Sequence, residues 1–289
     1  MNDTRIVQLG DGRELAWLET GRARGTPVLA FHGTPGSRRQ VAFDEKTVAA
    51  AGVRMIAPDR PGYGHSSYQP GRTLADWASD VAALADHLRV EQFAVMGLSG
   101  GGPHAAACAR FLPDRVTAAA LVSGVGPLAE PGFDSDMEGF NRGLVRLAQV
   151  AAPVVVPLFA LQQLAMRRWP ERALQAMQKR MAEPDAALLQ RPDVRAVFLE
   201  DARLSSGSTA RAAAQDFELF VRDWGFRLAD IAVPVHVWHG DLDKNVPFAQ
   251  GRSMSERIPG ARFHPCSGEG HLLVVDRLGE ILHTVSAAP

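Results

Sequence analysis

Short apolar runs alternate with amphipathic segments along the first 125 residues, and the alternation resumes near residue 231. The first two runs, RIVQLG and ELAWLE, have an Asp-Gly pair between them and predict an opening β-hairpin. The remaining runs end at turn residues, as buried parallel strands do. These runs are PVLAFHG (27–33), VRMIAPD (53–59), QFAVMG (92–97), VTAAALVSG (116–124), VPVHVWHG (233–240) and ARFHPC (261–266).

Helical spacing of apolar residues follows several of these runs. TLADWASDVAALADHL (73–88) places its apolar residues on one helical face, and Thr73 stands where it can cap the first turn. Further helices are predicted at PHAAACARFL (103–112), at AQGRSMSERI (249–258) and near 273–285. The alternation predicts an α/β fold with a mostly parallel, doubly wound sheet and helices on both faces.

Residues 126–230 interrupt this alternation. They contain helical patterns, such as RALQAMQKRMA and TARAAAQDFELFVRDW, but no clear strand pattern. We therefore expect one α/β core domain, formed by residues 1–125 and 231–289, with a helical insertion at 126–230.

Composition and overall charge limit the classes of partner that the sequence favours. The 289 residues include 31 Lys or Arg and 32 Asp or Glu, so the net charge of −1 favours neither nucleic acid nor an anionic membrane. The longest apolar run, VAAPVVVPLFAL (150–161), is too short to span a bilayer, and no secretory signal is visible. Cys108 and Cys266 are too far apart in sequence for a zinc motif. We expect a cytoplasmic monomer or homodimer that acts on a small molecule without a metal or cofactor.

A cluster of small residues surrounds one serine where the run QFAVMG ends. Gly97 to Gly101 reads Gly-Leu-Ser-Gly-Gly, a Gly-x-Ser-x-Gly pattern between a predicted strand and a predicted helix. Such a turn is sharp enough to strain the serine backbone, and larger residues at the two flanking glycines would collide. The following helix N-terminus favours developing negative charge. By itself, the pattern fits either a nucleophile at Ser99 or a plain glycine-rich turn.

A serine nucleophile needs a base, and the base needs a carboxylate that orients it. GEGH (268–271) offers His271 just before the last predicted helix, and HGDLDKNVP (239–247) offers Asp241 and Asp243 after a strand. The order serine, acid, histidine matches one known α/β arrangement. Earlier, FHGTPG (31–36) follows a strand with a loop suited to supply a further N–H group to an oxyanion.

With these motifs the chain resembles the α/β-hydrolase superfamily over nearly its whole length. The resemblance depends on five motifs in the same order, namely HGTPG, PDRPGYGHS, GLSGG, GDLDKNVP and GEGH. It implies the α/β-hydrolase fold, with residues 126–230 as a cap between the sixth and seventh strands. The site residues that it implies are Ser99 as nucleophile, Asp243 as acid, His271 as base, and the backbone N–H groups of Thr34 and Gly100 as oxyanion hole.

The resemblance also limits the reactions that the chain is expected to catalyse. Dehalogenases and epoxide hydrolases of this fold carry an aspartate at the position of Ser99, so both are excluded. Asp243 is favoured over Asp241 because its spacing from Gly240 matches the family, and His32 is expected to brace its loop. The insertion is rich in Met, Leu, Val and Phe, which favours small to medium hydrophobic carboxylic esters as substrates. A proline-iminopeptidase-like enzyme, a C–C bond hydrolase and a small-molecule receptor remain alternatives.

Overall fold

The structure is a computed structural model that describes residues 4–130, 133, 137, 139–204 and 208–287. Residues 1–3 and 288–289 of the expected core domain lie outside the described residues. The same holds for 131–132, 134–136, 138 and 205–207 of the expected insertion.

Eight strands form one sheet in the order β1-β2-β4-β3-β5-β6-β7-β8. The strands are β1 (Arg5–Gln8), β2 (Glu14–Gly21), β3 (Thr26–Phe31), β4 (Val53–Pro58), β5 (Phe93–Leu98), β6 (Val116–Val122), β7 (Val235–Gly240) and β8 (Arg262–Cys266). β1 and β2 form the expected antiparallel hairpin, and β2 pairs antiparallel with β4. All the other neighbouring strands are parallel. The predicted mostly parallel sheet is confirmed.

Five helices belong to the α/β core, and six lie between β6 and β7 in the described part of the chain. The core helices are α1 (Glu45–Ala50), α2 (Leu74–His87), α3 (Gly102–Phe111), α10 (Phe248–Arg257) and α11 (Val274–Ser286). The others are α4 (Gly139–Ala151), α5 (Val156–Arg168), α6 (Pro170–Gln178), α7 (Glu183–Leu188), α8 (Pro192–Leu204) and α9 (Thr209–Val221). The pattern had not predicted α1, because six residues complete fewer than two helical turns.

Apolar side chains fill both faces of the sheet. On one face, Trp77 of α2 packs edge-on against Phe31 of β3, with ring centroids 5.2 Å apart. On the other face, Leu278 and Ile281 of α11 belong to a cluster that includes Met96 of β5. Burying each such side chain stabilises the fold by about 1.5–3 kcal/mol. The strand alternation thus divides the core into two layers, one on each side of the sheet.

Thr73 caps α2 as its position in the sequence predicts. Its hydroxyl accepts a hydrogen bond from the Asp76 backbone N–H, and the Asp76 carboxylate accepts one from the Thr73 N–H at 2.7 Å. This reciprocal pair satisfies two backbone donors that the first helical turn would otherwise leave unpaired.

The carboxyl ends of the parallel strands determine where the chemistry lies. β3, β5 and β7 are parallel members of one sheet, so the loops that follow them emerge at one edge. β8 is parallel to β7 and adds its own loop there. All the residues implied for the site lie in these four loops. Among the described residues, the structure has no helix that is both long and apolar enough to cross a membrane.

Candidate active site

Ser99 occupies the turn between β5 and α3. Its φ of 54° lies in the left-handed region, where a residue with a side chain is strained. The turn is packed so tightly that a Cβ at Gly97 would overlap the backbone of Gly101, and one at Gly101 would overlap the Phe31 carbonyl. Close backbone approach therefore requires both glycines of the Gly-x-Ser-x-Gly pattern. The side chain of Ser99 remains partly exposed at this edge of the sheet.

His271 and Asp243 lie in direct contact. Nδ1 of His271 is 2.8 Å from Oδ2 of Asp243, and both residues are buried. Oδ1 of Asp243 accepts hydrogen bonds from the backbone N–H groups of Asn245 and Val246, at 2.8 and 2.9 Å. A carboxylate only accepts hydrogen bonds, so the ring proton sits on Nδ1 and the lone pair on Nε2 of His271. This is the tautomer that a general base requires.

Burial and charge act in opposite directions on the pKa values of this pair. Burial alone would raise the pKa of Asp243, but the charges and hydrogen bonds of His271 and His239 hold it below its usual range. Burial alone would lower the pKa of His271, but the charge and hydrogen bond of Asp243, with the charge of Asp185, raise it. Asp243 is therefore ionised at neutral pH and stabilises the imidazolium form of His271.

Asp241, the rival acid, has different partners. Its carboxylate accepts hydrogen bonds from the Gly268 N–H at 2.7 Å and from the Ser267 hydroxyl at 3.0 Å, and it is exposed. It ties the loop after β7 to the loop after β8. Of the two aspartates, Asp243 is therefore the one in contact with His271.

Thr34 and Gly100 are neighbours across the loops that follow β3 and β5. A Cβ at Gly100 would overlap the Thr34 side chain and would lie 3.0 Å from Cζ of Phe220. A Cβ at Gly33 would lie 3.3 Å from that of Ser99. The loop that carries Thr34 therefore lies beside the serine turn. Ser99 and His271, in contrast, form no direct hydrogen bond among the described residues. Such contacts are often long without substrate.

Two other buried histidines, His32 and His104, form hydrogen bonds with backbone groups. His32 Nδ1 donates to the Gly33 carbonyl at 2.9 Å, and Nε2 accepts from the Arg60 N–H at 3.1 Å. His104 Nδ1 donates to the Gly100 carbonyl at 2.9 Å. Burial, with the charge of Arg60, lowers the pKa of both imidazoles well below its ordinary value. These neutral rings brace the loops, and both nitrogens of His32 are engaged with backbone groups.

Asp216 in α9 is a site residue that the sequence patterns did not single out. Oδ2 accepts hydrogen bonds from Thr34 Oγ1 at 2.5 Å, and from Arg60 Nη2 and Tyr63 OH at 2.6 Å. Oδ1 accepts one from Arg72 Nη2 at 2.5 Å. Burial alone would raise the pKa of Asp216, but Arg60 and Arg72 hold it below its usual range. This ionised carboxylate ties the insertion to the side chain of Thr34.

Asp185 in α7 was also missed, and it contacts the histidine loop. Oδ2 accepts a hydrogen bond from the His271 backbone N–H at 2.9 Å, and Oδ1 accepts one from the Leu272 N–H at 2.8 Å. A Cβ at Gly270 would overlap this carboxylate, so the close approach needs glycine there. Burial raises the pKa of Asp185 despite the two hydrogen bonds.

Asp216 and Asp185 differ in how far the sequence alone could have indicated them as site residues. Asp216 lies one helical turn from Ala212 and from Phe220, so a charged residue on an apolar helix face was a readable signal. Asp185 lies in the first turn of a helix, where acidic residues are ordinary. Among the described residues, no group of three or more His, Cys, Asp and Glu side chains could hold a metal ion.

A sequence profile described as alpha/beta hydrolase fold matches residues 26–278. The chain belongs to the α/β-hydrolase fold family. The uncharacterized hydrolase YcgS of Bacillus subtilis (strain 168) is 36% identical over 115 residues, which cover 40% of this chain and 39% of YcgS. The bifunctional esterase/perhydrolase DCH of Acinetobacter calcoaceticus is 27% identical over 273 residues, 92% of each chain. The solved esterase RhEst1 of Rhodococcus sp. ECU1013 is 26% identical with a TM-score of 0.69, covering 99% of this chain and 100% of that chain.

These similarities differ in extent. This α/β hydrolase spans well under half the length of YcgS, whereas the matches to DCH and RhEst1 extend over nearly the whole of each chain. In an α/β hydrolase, the Gly-x-Ser-x-Gly turn exposes its serine at the carboxyl edge of the sheet. Ser99 lies at that edge here.

Proposed function

We propose that this α/β hydrolase is a serine hydrolase that cleaves small to medium hydrophobic carboxylic esters through Ser99, His271 and Asp243. The observation that carries the proposal is the 2.8 Å contact between His271 Nδ1 and Asp243 Oδ2, at the sheet edge where Ser99 has a left-handed backbone. The full-length similarity to the esterase RhEst1 and to the esterase/perhydrolase DCH supports ester chemistry.

The reaction follows from the roles of these groups. His271 Nε2 takes the Ser99 proton as Oγ attacks the ester carbonyl, and Asp243 stabilises the imidazolium that forms. Backbone N–H groups of Gly100 and Thr34 donate to the oxyanion, and losing one such donor costs about 3–4 kcal/mol in other serine hydrolases. His271 then protonates the departing alcohol. It finally activates a water that releases the acid from Ser99.

We further infer that residues 126–230 act as a cap over the site. Three contacts support this role, and each joins the insertion to a different part of the site. Asp216 binds the Thr34 hydroxyl, Asp185 binds the backbone of the His271 loop, and Phe220 lies against Gly100. A cap held at three points excludes water from the reaction and limits the size of the substrate.

A row of aromatic rings supports an apolar substrate. Phe159, Phe217 and Phe220 follow one another with ring centroids 5.4 and 5.7 Å apart, and the last ring lies next to Gly100. An apolar acyl or alcohol group bound along such rings gains about 0.8 kcal/mol for each buried methylene. Turnover is therefore expected to change several-fold with each carbon of an acyl series.

Two experiments test the proposal. A fluorophosphonate probe is expected to label the Ser99 peptide once and to leave a Ser99→Ala variant unlabelled. The matched control is Ser123→Ala, which removes another serine with positive φ at the end of the neighbouring strand and is expected to keep full labelling. Labelling elsewhere, with Ser99 untouched, would rule out this nucleophile.

The substrate class is measured on a panel of p-nitrophenyl acyl esters beside a prolyl-amide and a vinylogous diketone. We expect the small to medium-chain esters to be cleaved fastest. Faster cleavage of the prolyl-amide would assign the protein to the iminopeptidases, and faster cleavage of the diketone would make it a C–C bond hydrolase. Ligand-induced stabilisation that is equal in wild type and Ser99→Ala, with no turnover of any ester, would indicate a receptor.

A further inference from the structure

The insertion concentrates exposed apolar side chains on α4, on α5, on the short segment between them and at the residue that follows α5. Nine large apolar side chains are exposed among the described residues of the whole chain, and six of them fall within residues 150–169. The six, called the exposed insertion face below, are Val150, Val154, Leu158, Leu161, Leu164 and Trp169. Scattered apolar residues are normal on a protein surface, but a concentrated patch of this kind marks an interaction site.

Helical spacing brings two of these residues onto one side of α5. Leu158 and Leu161 are three residues apart in the helix, and Val154 lies in the short segment before it, four residues before Leu158. Val155 and Phe159, one position further along, are buried in the cluster formed with α9. α5 is therefore apolar on two sides, and the described residues cover only one of them. Leu161 is 65% exposed and Val150 is 86% exposed.

The charged residues within the segment 139–170, which carries this face, are all basic. Residues 139–170 contain no Asp or Glu and four arginines, namely Arg142, Arg146, Arg167 and Arg168. The last three are exposed, and none of them forms an ion pair with a carboxylate of the described residues. The next acid, Glu171, is paired with Arg195. The chain's net charge of −1 thus conceals a local positive region beside the apolar face.

We propose that the exposed insertion face docks on the surface of an anionic lipid membrane. The Leu, Val and Trp side chains would enter the headgroup region, and the arginines would bind lipid phosphates. Apolar residues with Trp at one end and arginines beside them are the composition of helices that lie in a membrane interface. α5 has 13 residues, so it lies on the bilayer and does not cross it.

The charge pattern argues against a second copy of the chain as the occupant. A twofold contact places a patch against itself, so the arginines of two copies would meet without any acidic residue from 139–170 to neutralise them. Negatively charged headgroups supply that neutralisation. Docking does not depend on the chemistry proposed for Ser99, so the two proposals can fail separately.

The test is co-sedimentation with vesicles of phosphatidylcholine containing about 30% phosphatidylglycerol, compared with vesicles of phosphatidylcholine alone. Ser99→Ala serves as the parent protein, so that no lipid is hydrolysed during the measurement. We expect binding to the anionic vesicles that weakens about tenfold or more in Leu158→Ser/Leu161→Ser and in Arg167→Gln/Arg168→Gln. Binding is also expected to weaken at about 0.5 M salt.

The matched control is Ile6→Ser, which removes an exposed apolar side chain from β1 and is expected to bind like the parent. Absence of binding to the anionic vesicles, or equal binding by Leu158→Ser/Leu161→Ser, would overturn the proposal. Sedimentation velocity tests the alternative occupant of the exposed insertion face, a second copy of the chain. A dimer that Leu158→Ser/Leu161→Ser dissociates, without any vesicle binding, would assign the face to a second copy.

Discussion

Replacing Asp185 by asparagine tests whether the insertion positions the imidazole of His271. Asp185 contacts the backbone of the histidine loop and not the imidazole itself, so any effect on the reaction must pass through that loop or through the charge. Asparagine has nearly the same shape, but it offers one acceptor oxygen where aspartate offers two. Its amide nitrogen would meet one of the two loop N–H groups as a second donor.

The expected magnitude follows from that lost acceptor. One buried N–H, of His271 or Leu272, would be left without a partner, at a cost of about 1–3 kcal/mol. If the loop relieves this cost by moving His271, kcat falls about 5- to 150-fold, because each 1.4 kcal/mol is a factor of ten. If the whole fold bears the cost, Tm falls by about 2 °C per kcal/mol.

The pH profile distinguishes an effect of Asp185 on the imidazole of His271 from an effect on the stability of the fold. Asp185 is one of the charges that raise the pKa of His271, so Asp185→Asn lowers that pKa. The base works only when it is neutral, and activity on the acid side rises with pH as the imidazolium loses its proton. The acid limb of kcat/KM is therefore expected to move to lower pH in the variant.

The assay is hydrolysis of a p-nitrophenyl ester from pH 5 to about pH 9, with thermal unfolding on the same samples. Asp193→Asn is the matched control, because this aspartate also belongs to the insertion but is exposed and paired with Arg191. It is expected to leave both the Tm and the pH profile in place. A lower Tm for Asp185→Asn with unchanged kcat and an unchanged acid limb would refute a positioning role.

Two further results are expected. Asp216→Asn leaves the buried Arg60 and Arg72 without their carboxylate and is expected to lower the free energy of unfolding by about 3–5 kcal/mol in urea titrations. A loss below about 1 kcal/mol would mean that this network contributes little. Asp243→Asn is expected to lower kcat by roughly four orders of magnitude, because the imidazole is left in the wrong tautomer, whereas Asp241→Asn is expected to be mild. The reverse ranking would exchange the roles of the two aspartates.

The strands and the core helices were readable from the sequence because their signals are local. β5 lies one residue from its predicted run, and α2 begins directly after the capping residue Thr73. Period-two and period-3.6 patterns depend on neighbours within about one helical turn, so a single chain displays them directly. The turn around Ser99 is only partly local. Gly97 is required by a contact with Gly101, four residues away, whereas Gly101 is required by the backbone of Phe31 in the adjacent strand.

The insertion was less readable because its helices have more than one apolar side. α5 buries Phe159 on one side and exposes Leu158 and Leu161 on the other, so no single apolar stripe identifies its partner. Which side packs is decided by the contact with α9, and that choice depends on the tertiary structure.

The partners of the carboxylates that tie the insertion to the site could be assigned only in three dimensions. Asp185 meets the N–H of a residue 86 positions later, and Asp216 meets Arg60, 156 positions earlier. Sequence motifs predicted which residues would carry the chemistry, because nucleophile, acid and base are each expected in a loop that follows a strand. The groups that hold those residues in place could not be read in the same way. A buried charge is tolerated wherever the fold brings an oppositely charged or hydrogen-bonding partner to it. No local sequence pattern specifies which distant residue that partner will be.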